Sequence, residues 1–345
     1  MKKKIGLPNA LIHYKFHVLW KTFFTELGTE VIISDETTKK IREIAISAAP
    51  DEDCYSTKLY FGHALVLKDK VDYLFIPRFG SNHPTNVGCP KFLGLADVLR
   101  SMFPDLPPLI MPYFSKAKGG HKTYHIFTKA FAIGWMFTKN PIRIIRAISR
   151  AIKAYQKYKD KLIISIEDLE KWERSKIYLN DPPILRDGEK PLKIALVGHS
   201  YVINDGYASL DIRKKLKEQG VDIITSEQMP RELIEKQMEK LDFNMYFDYE
   251  REILGTLMHF IESKTVDGII HLMIFGCGPD SIAGEMAARF SKRDSEVQLL
   301  QLVLDDLTAE AGLNTRIEAF ADMLKRRNLR SAVYLPPLRV SEIRV

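Results

Sequence analysis

Gly268-Ile269-Ile270-His271-Leu272-Met273-Ile274-Phe275-Gly276-Cys277-Gly278-Pro279-Asp280 is the stretch that decides the fold. Its first seven residues are almost continuously apolar, as in a strand buried on both faces of a parallel sheet. The strand ends at Phe275-Gly276, and a helix follows. The same alternation surrounds it. Strands are expected over 192–197, 221–224 and 299–304, and helices over 249–262 and about 311–326. Strands alternating with helices mean crossover connections and a mostly parallel sheet.

The first part of the chain repeats this grammar. A strand over 4–7 precedes a helix in which Phe16, Leu19, Trp20, Phe23, Phe24 and Leu27 recur at helical spacing, stopped at Gly28. Val31-Ile32-Ile33 is a buried strand. Helices are expected over 39–48 and from just after Cys54 to about 68, then a strand over 71–76, a helix opening at Pro90 and a short strand over 109–111. The expected fold is α/β: two Rossmann-like, flavodoxin-like parallel-sheet domains with a helical insertion. Their bounds are 1–115, 116–190 for a basic helical segment and linker, and 191–345.

That segment carries the one strong charge bias in a 345-residue chain of net charge +7. Positions 116 to 161 hold twelve Lys or Arg and one acid, Asp160. Ile142, Ile145, Ala147, Ile148 and Ile152 form an apolar stripe along it, and Asp181-Pro182-Pro183 with Asp187-Gly188 mark a linker. The segment is a solvated helix face on one reading and a docking surface for an acidic partner or CoA phosphates on another. Nucleic acid ranks last, because no recognition motif accompanies the charge. The most apolar stretch, 126–137, is interrupted by Lys129 and falls short of the ~20 residues of a membrane span. No apolar signal core follows the basic start, so a cytoplasmic protein is expected.

There are three cysteines, Cys54, Cys89 and Cys277. An odd number argues for a reducing compartment and against a disulfide framework. Each is expected at a helix N-terminus on the carboxyl edge of its sheet, where sites form in such folds. Cys89 directly precedes Pro90, suited to a first helical position. A helix N-terminus favours thiolate, the form that binds iron or zinc. Gly276 and Gly278 beside Cys277 let backbone approach a bulky group. Two domains facing each other bring three thiolates together at a cleft. Equally, three cysteines can each be small buried core residues. No CxxC occurs, and the gaps are too long for a zinc finger or ribbon.

Three stretches carry a family resemblance: Ile5-Gly6-Leu7-Pro8 with Phe23-Phe24-Thr25-Glu26-Leu27-Gly28; Cys54-Tyr55-Ser56-Thr57-Lys58 with His63; and Phe275-Gly276-Cys277-Gly278-Pro279-Asp280-Ser281 with Thr315-Arg316-Ile317-Glu318-Ala319-Phe320. They resemble the 2-hydroxyacyl-CoA dehydratase D-component family and, within it, the acyl-CoA dehydratase activase-related subgroup. The basic segment lies outside these stretches. The resemblance implies an oxygen-sensitive iron–sulfur cluster on Cys54, Cys89 and Cys277, of 4Fe–4S type, or a double-cubane 8Fe–9S type in a homodimer. It further implies low-potential electrons from an ATP-dependent activator, with a CoA thioester and a homo- or heterodimer among the expected partners. Two functions follow: a reductase or dehydratase component working at an open iron, and a non-catalytic electron carrier or cluster scaffold.

Other candidates are weaker. Gly198-His199-Ser200-Tyr201 follows the first strand of the second domain but lacks a phosphate-binding glycine pattern. His199 and Ser200 line the cleft on one reading; on the other His199 is a satisfied structural histidine. Asn204 and Asp205 suit a helix cap or turn. Glu310, in Asp305-Asp306-Leu307-Thr308-Ala309-Glu310-Ala311-Gly312, is a candidate base or simply an acid at a helix start.

Overall fold

The structure, a computed structural model, describes residues 2–81, 85–116, 123–185, 189–293 and 296–333. The first half runs β1 (Lys4–Leu7), α1 (His13–Glu26), β2 (Glu30–Ile33), α2 (Lys39–Ala48), α3 (Tyr55–Leu65), β3 (Tyr73–Phe75), β4 (Arg78–Ser81), α4 (Pro90–Met102), β5 (Leu109–Ile110) and β6 (Tyr113–Ser115). Three helices follow, α5 (Thr123–Phe137), α6 (Pro141–Leu162) and α7 (Ile166–Glu173). The second half runs β7 (Leu192–Gly198), α8 (Ser200–Ile203), α9 (Ile212–Glu218), β8 (Val221–Thr225), α10 (Arg231–Met238), α11 (Asp248–Ser263), β9 (Gly268–Ile274), α12 (Gly278–Arg293), β10 (Gln298–Leu304) and α13 (Glu310–Val333).

Every pairing among these strands is parallel. One sheet has the order β2-β1-β3-β5, and the other, read from its far edge, β8-β7-β9-β10. Both are the order second, first, third, fourth, so the two halves share one flavodoxin-like topology. The chain reverses its direction of winding between β1 and β3, and again between β7 and β9. Sites in such sheets form beyond the carboxyl ends of the strands at that reversal. The resulting positions are the loops after β7 and β9, His199 and Cys277.

Local chemistry sets the element ends. Gly28 closes α1 at φ +87°, with Thr29 N–H donating to Phe24 O (3.2 Å) and Gly28 N–H to Thr25 O (2.9 Å), a Schellman ending. The Asn140 side chain accepts from Arg143 N–H and Pro141 occupies the first turn of α6. β2 is a half-buried edge strand, not a fully buried one. The pair β4 and β6 was not expected. It continues the β3–β5 ladder past Pro77 and Pro112, prolines that interrupt the apolar pattern and contribute no N–H.

The helices of the basic segment divide between their neighbours. On α6, Ile144, Ala147, Ile148 and Ala151 are buried in one core with Phe23, Phe24 and Phe75. The expected stripe needs correcting: Ile142, Ile145 and Ile152 are 67 %, 50 % and 56 % exposed, on the outward face. Helical geometry places 144, 147, 148 and 151 on one side and 142, 145 and 152 on another, and both sides hold isoleucine. α7 instead inserts Leu169 and Trp172 into the core of the second half. Trp172 Nε1–H donates to the buried Asp222 (2.7 Å), whose carboxyl burial pushes up to about 6. Asp187 and Gly188 lie outside the described residues, as do Lys118 and Lys122.

The two halves are packed on a shared core. One continuous apolar cluster includes Leu59, Phe61 and Phe92 of the first half and Ile194, Leu272 and Leu324 of the second. Polar contacts reinforce it. Lys15 pairs with Glu252 (2.7 Å), Lys58 faces Asp306 (3.8 Å), and Arg42 donates to the Asp306 carbonyl. The loop around Asp306 thus ties the halves together.

A buried relay sits on the same seam. Thr37 Oγ1–H donates to Asp205, so Thr37 Oγ1 accepts from His63 Nε2–H (2.9 Å), and His63 Nδ1 accepts from Ser34 Oγ–H (2.9 Å). His63 is neutral in this arrangement, and burial lowers its pKa from 6.5 to about 4. A depressed histidine pKa means the unfolded chain takes up the proton first as pH falls. The stability it contributes is whole above pH 6.5 and is lost between there and about 4. At pH ~5 the loss is about 2 kcal/mol. Urea unfolding of the parent and of His63→Asn from pH 7 down to pH ~5 should therefore converge as pH falls. Parallel pH profiles for the two proteins would contradict this.

Candidate functional site

Each cysteine lies at the start of a helix, as its sequence position suggests. Cys54 is the N-cap of α3 and Cys89 the N-cap of α4, with Pro90 in the first turn; Cys277 immediately precedes α12. Cys277 is buried, while Cys54 and Cys89 are half-buried.

Two backbone features gather them. Gly276 adopts φ +79° and lies so near Cys54 that a Cβ there would stand 3.3 Å from Cys54 Cα. Only glycine tolerates both the conformation and the approach. Across the seam, Val87 and Phe247 form an isolated parallel bridge: Val87 N–H donates to Tyr246 O (2.7 Å) and Asp248 N–H to Val87 O (3.1 Å). Asn86 Nδ2–H adds a bond to Asp248 (2.9 Å). This clamp lies two residues before Cys89 and three before Glu250, and so fixes those two loops against each other. The buried Asp53 pairs with Lys91, joining the starts of α3 and α4.

The three thiols share one neighbourhood. The buried Tyr201 feels all three electrostatically, and Cys54 acts on both Cys89 and Cys277. Glu250 acts on Cys89 and Cys277 as well. His199, Glu250 and Cys277 are all buried, and their potential ligand atoms lie within 4.8 Å of one another.

Behind them runs a chain of buried charge. Asp280, fully buried, accepts from Ile274 N–H (2.9 Å) and from His271 Nε2–H (3.2 Å), and stands 3.7 Å from His199 Nδ1. His199 Nε2 faces Glu250 at 3.3 Å. Burial disfavours a charged His199, but Asp280 and Glu250 outweigh it and raise the pKa above its ordinary value. Burial likewise works against the Asp280 carboxylate, which His199 and His271 nevertheless hold below the usual range. Aromatic rings wall the network. His199 stacks on Tyr201 (4.9 Å between centroids) and lies 5.2 Å from Tyr249, over which Lys15 Nζ sits at 3.8 Å.

The expected stabilisation of thiolate is reversed here. Burial pushes the Cys89 thiol up to about 11 and the Cys277 thiol higher still, with Asp280 adding to the second. Desolvation and nearby negative charge exceed the helix-terminus effect, which is worth about 1 kcal/mol. A bound cation reverses that balance, since it deprotonates the thiols it binds.

Of the other candidates, His199 and Ser200 are buried at the head of α8, and Gly276 and Gly278 flank Cys277 at the surface. A Cβ at Gly278 would meet nothing within 4 Å, so there is room beside Cys277. Glu310 is exposed and paired with Lys215 (2.7 Å), outside the buried network. Sequence reading missed Glu250, Asp280 as a network member, and His271. Glu250 lies in the first turn of a helix dense in acids, where nothing distinguishes it from a residue favoured by the helix dipole.

A family model described as "CoA enzyme activase uncharacterised domain (DUF2229)" matches residues 4–229. The match takes in Cys54, Cys89 and His199 and ends before Glu250 and Cys277. It also crosses the basic segment, which the stretches quoted for the resemblance had left outside. Among curated proteins, none matches the chain.

Proposed function

Because the chain belongs to the CoA enzyme activase domain family, we propose that it is the electron-handling iron–sulfur partner in an activase-dependent CoA enzyme system, with its cluster on Cys54, Cys89 and Cys277. What supports this reading is that thiols from both halves act on one another electrostatically: Cys54 acts on Cys89 and Cys277, and all three act on the buried Tyr201. The donor set fits the group. Three soft sulfur ligands suit an iron–sulfur cluster, and the surface beside Cys277 is open at Gly278. A cluster in this position supplies a store for one electron at low potential. The chain's own residues do the rest: Gly276 brings Cys54 in, the Val87–Phe247 bridge fixes Cys89, and the aromatic wall excludes water.

Anaerobic purification with iron and sulfide analysis and EPR tests this directly. Iron and sulfide in near-equal amounts, with a signal on reduction, are expected. A protein reconstituted anaerobically that holds neither would end the reading.

The outward face of α6 is the surface proposed for an acidic protein partner, an activator or a CoA enzyme. Arg146 and Lys153 stand there among the exposed Ile142, Ile145 and Ile152, with no ion pair recorded among the described residues. Arg143 and Arg150 serve the fold: Arg143 Nε–H donates to Glu26 O (3.0 Å) and Arg150 pairs with Glu26 (2.8 Å). Like-signed surface charge speeds association and makes it salt-sensitive. Reversing Arg146 and Lys153 to Glu should slow reduction by an activator roughly tenfold at low salt and leave iron content unchanged. A parent reduction rate that ignores salt in stopped flow would remove this surface from the proposal.

A further inference from the structure

Three cysteines leave one iron of a cubane cluster without a protein thiolate. We propose that Glu250 supplies the fourth ligand, with His199 as its positioning residue, so that the cluster is closed by the protein and serves electron transfer. This rests on the cluster reading above and extends it by choosing between its two functions.

Glu250 is the only carboxylate grouped with a cysteine as a potential ligand set among the described residues, its oxygen within 4.8 Å of Cys277 Sγ and a His199 nitrogen. It is 4 % exposed, acts on Cys89 as well as on Cys277, and starts α11 on the far side of the Val87–Phe247 bridge from Cys89. The same clamp therefore sets cysteine and carboxylate. A buried carboxylate persists only with strong, fixed partners. Among the described residues, His199 is its hydrogen-bond partner, at 3.3 Å. His199 holds the Glu250 carboxylate in place beside Cys277, with ligand atoms within 4.8 Å of one another.

Glu250 is preferred over His199 as the ligand on geometry. Both ring nitrogens of His199 already face carboxylates, Nε2 to Glu250 and Nδ1 to Asp280 at 3.7 Å. A ring held that way orients the ligand beside it, as outer-shell partners do. Carboxylate oxygen is an accepted iron donor next to thiolate. An iron closed in this way offers no free position to a CoA thioester, so the protein passes electrons to the enzyme that acts on the thioester.

The test is anaerobic reconstitution of the full chain with isotopically enriched iron, read by iron and sulfide content, Mössbauer spectroscopy and EPR. The parent should hold roughly four irons, one with an oxygen-ligated signature, and its EPR should not change on adding a short-chain acyl-CoA. Glu250→Gln, which keeps the shape but not the anionic oxygen, should fall to roughly three irons. Glu250→Cys should hold four again with all sites thiolate-like; because it gives its own answer, a poorly folding Gln variant does not block the test. His199→Gln should retain the irons and broaden the signature of the unique site. A parent without iron and sulfide overturns both the cluster and its ligand. A parent with a cluster, and Gln and Cys variants carrying the same irons and the same spectrum, overturns the ligand alone. So does an EPR signal shifted by acyl-CoA, which reveals an open iron.

Discussion

Cys277→Ala is expected to carry almost no iron after anaerobic reconstitution, against roughly four per chain for the parent, and Cys54→Ala and Cys89→Ala should behave alike. The magnitude follows from the ligand count. With three thiolates and one carboxylate on the proposed cluster, losing one thiolate leaves a set too small to hold it. The fold should survive, because each side chain is small and lies at a helix start, and substitutions of that kind cost about 1 kcal/mol. Far-ultraviolet circular dichroism and urea unfolding of the metal-free proteins should therefore be near parental. Cys277 is the most informative of the three, since it is the most buried and the only one grouped with His199 and Glu250. Full iron in Cys277→Ala would sink the shared site.

Asp280→Ala should destabilise the metal-free protein by roughly 3–5 kcal/mol, the cost of breaking a buried charged network from one side. Asp280 is the acceptor for Ile274 N–H and His271 Nε2–H, and it faces His199. Its removal strands the Ile274 N–H and the wholly buried His271, and takes one of two facing carboxylates from His199, which is 2 % exposed. Asp280→Asn keeps an acceptor for Ile274 and should cost less than half as much. The measurement is the urea midpoint at neutral pH with the slope unchanged. A loss below ~1 kcal/mol for Asp280→Ala would mean that the histidines find other partners. The same variant should leave the loop after β9 less well set, and with it Cys277, three residues upstream.

Strand and helix placement was legible because it depends on local pattern. The apolar run at 268–274 is β9, Gly28 ends α1, and Pro90 opens α4, each through a signal confined to a few residues. The position of the cysteines at helix starts on a carboxyl edge followed from the same alternation, because crossover topology dictates which edge a helix begins on. Pattern alone failed where two faces looked alike. On α6, isoleucine occupies both sides, and only packing against α1 and β3 selected Ile144 and Ile148 over Ile142 and Ile145.

The chemistry of the site belonged to tertiary structure. Charge on a buried thiol depends on desolvation and on neighbours distant in sequence, so Cys89 and Cys277 are held as thiols despite their helix starts. Glu250 is 27 residues from Cys277 and 161 from Cys89, and no spacing rule links them. The Val87–Phe247 bridge and the close approach of Gly276 to Cys54 bring them together. The sequence by itself determined two parallel sheets and the helix starts that carry the cysteines, because periodicity and capping act over a few residues. Only the folded chain decided that these starts meet, and that a carboxylate and two histidines stand behind them, because burial and long-range contact exist only once the two halves have closed on one core.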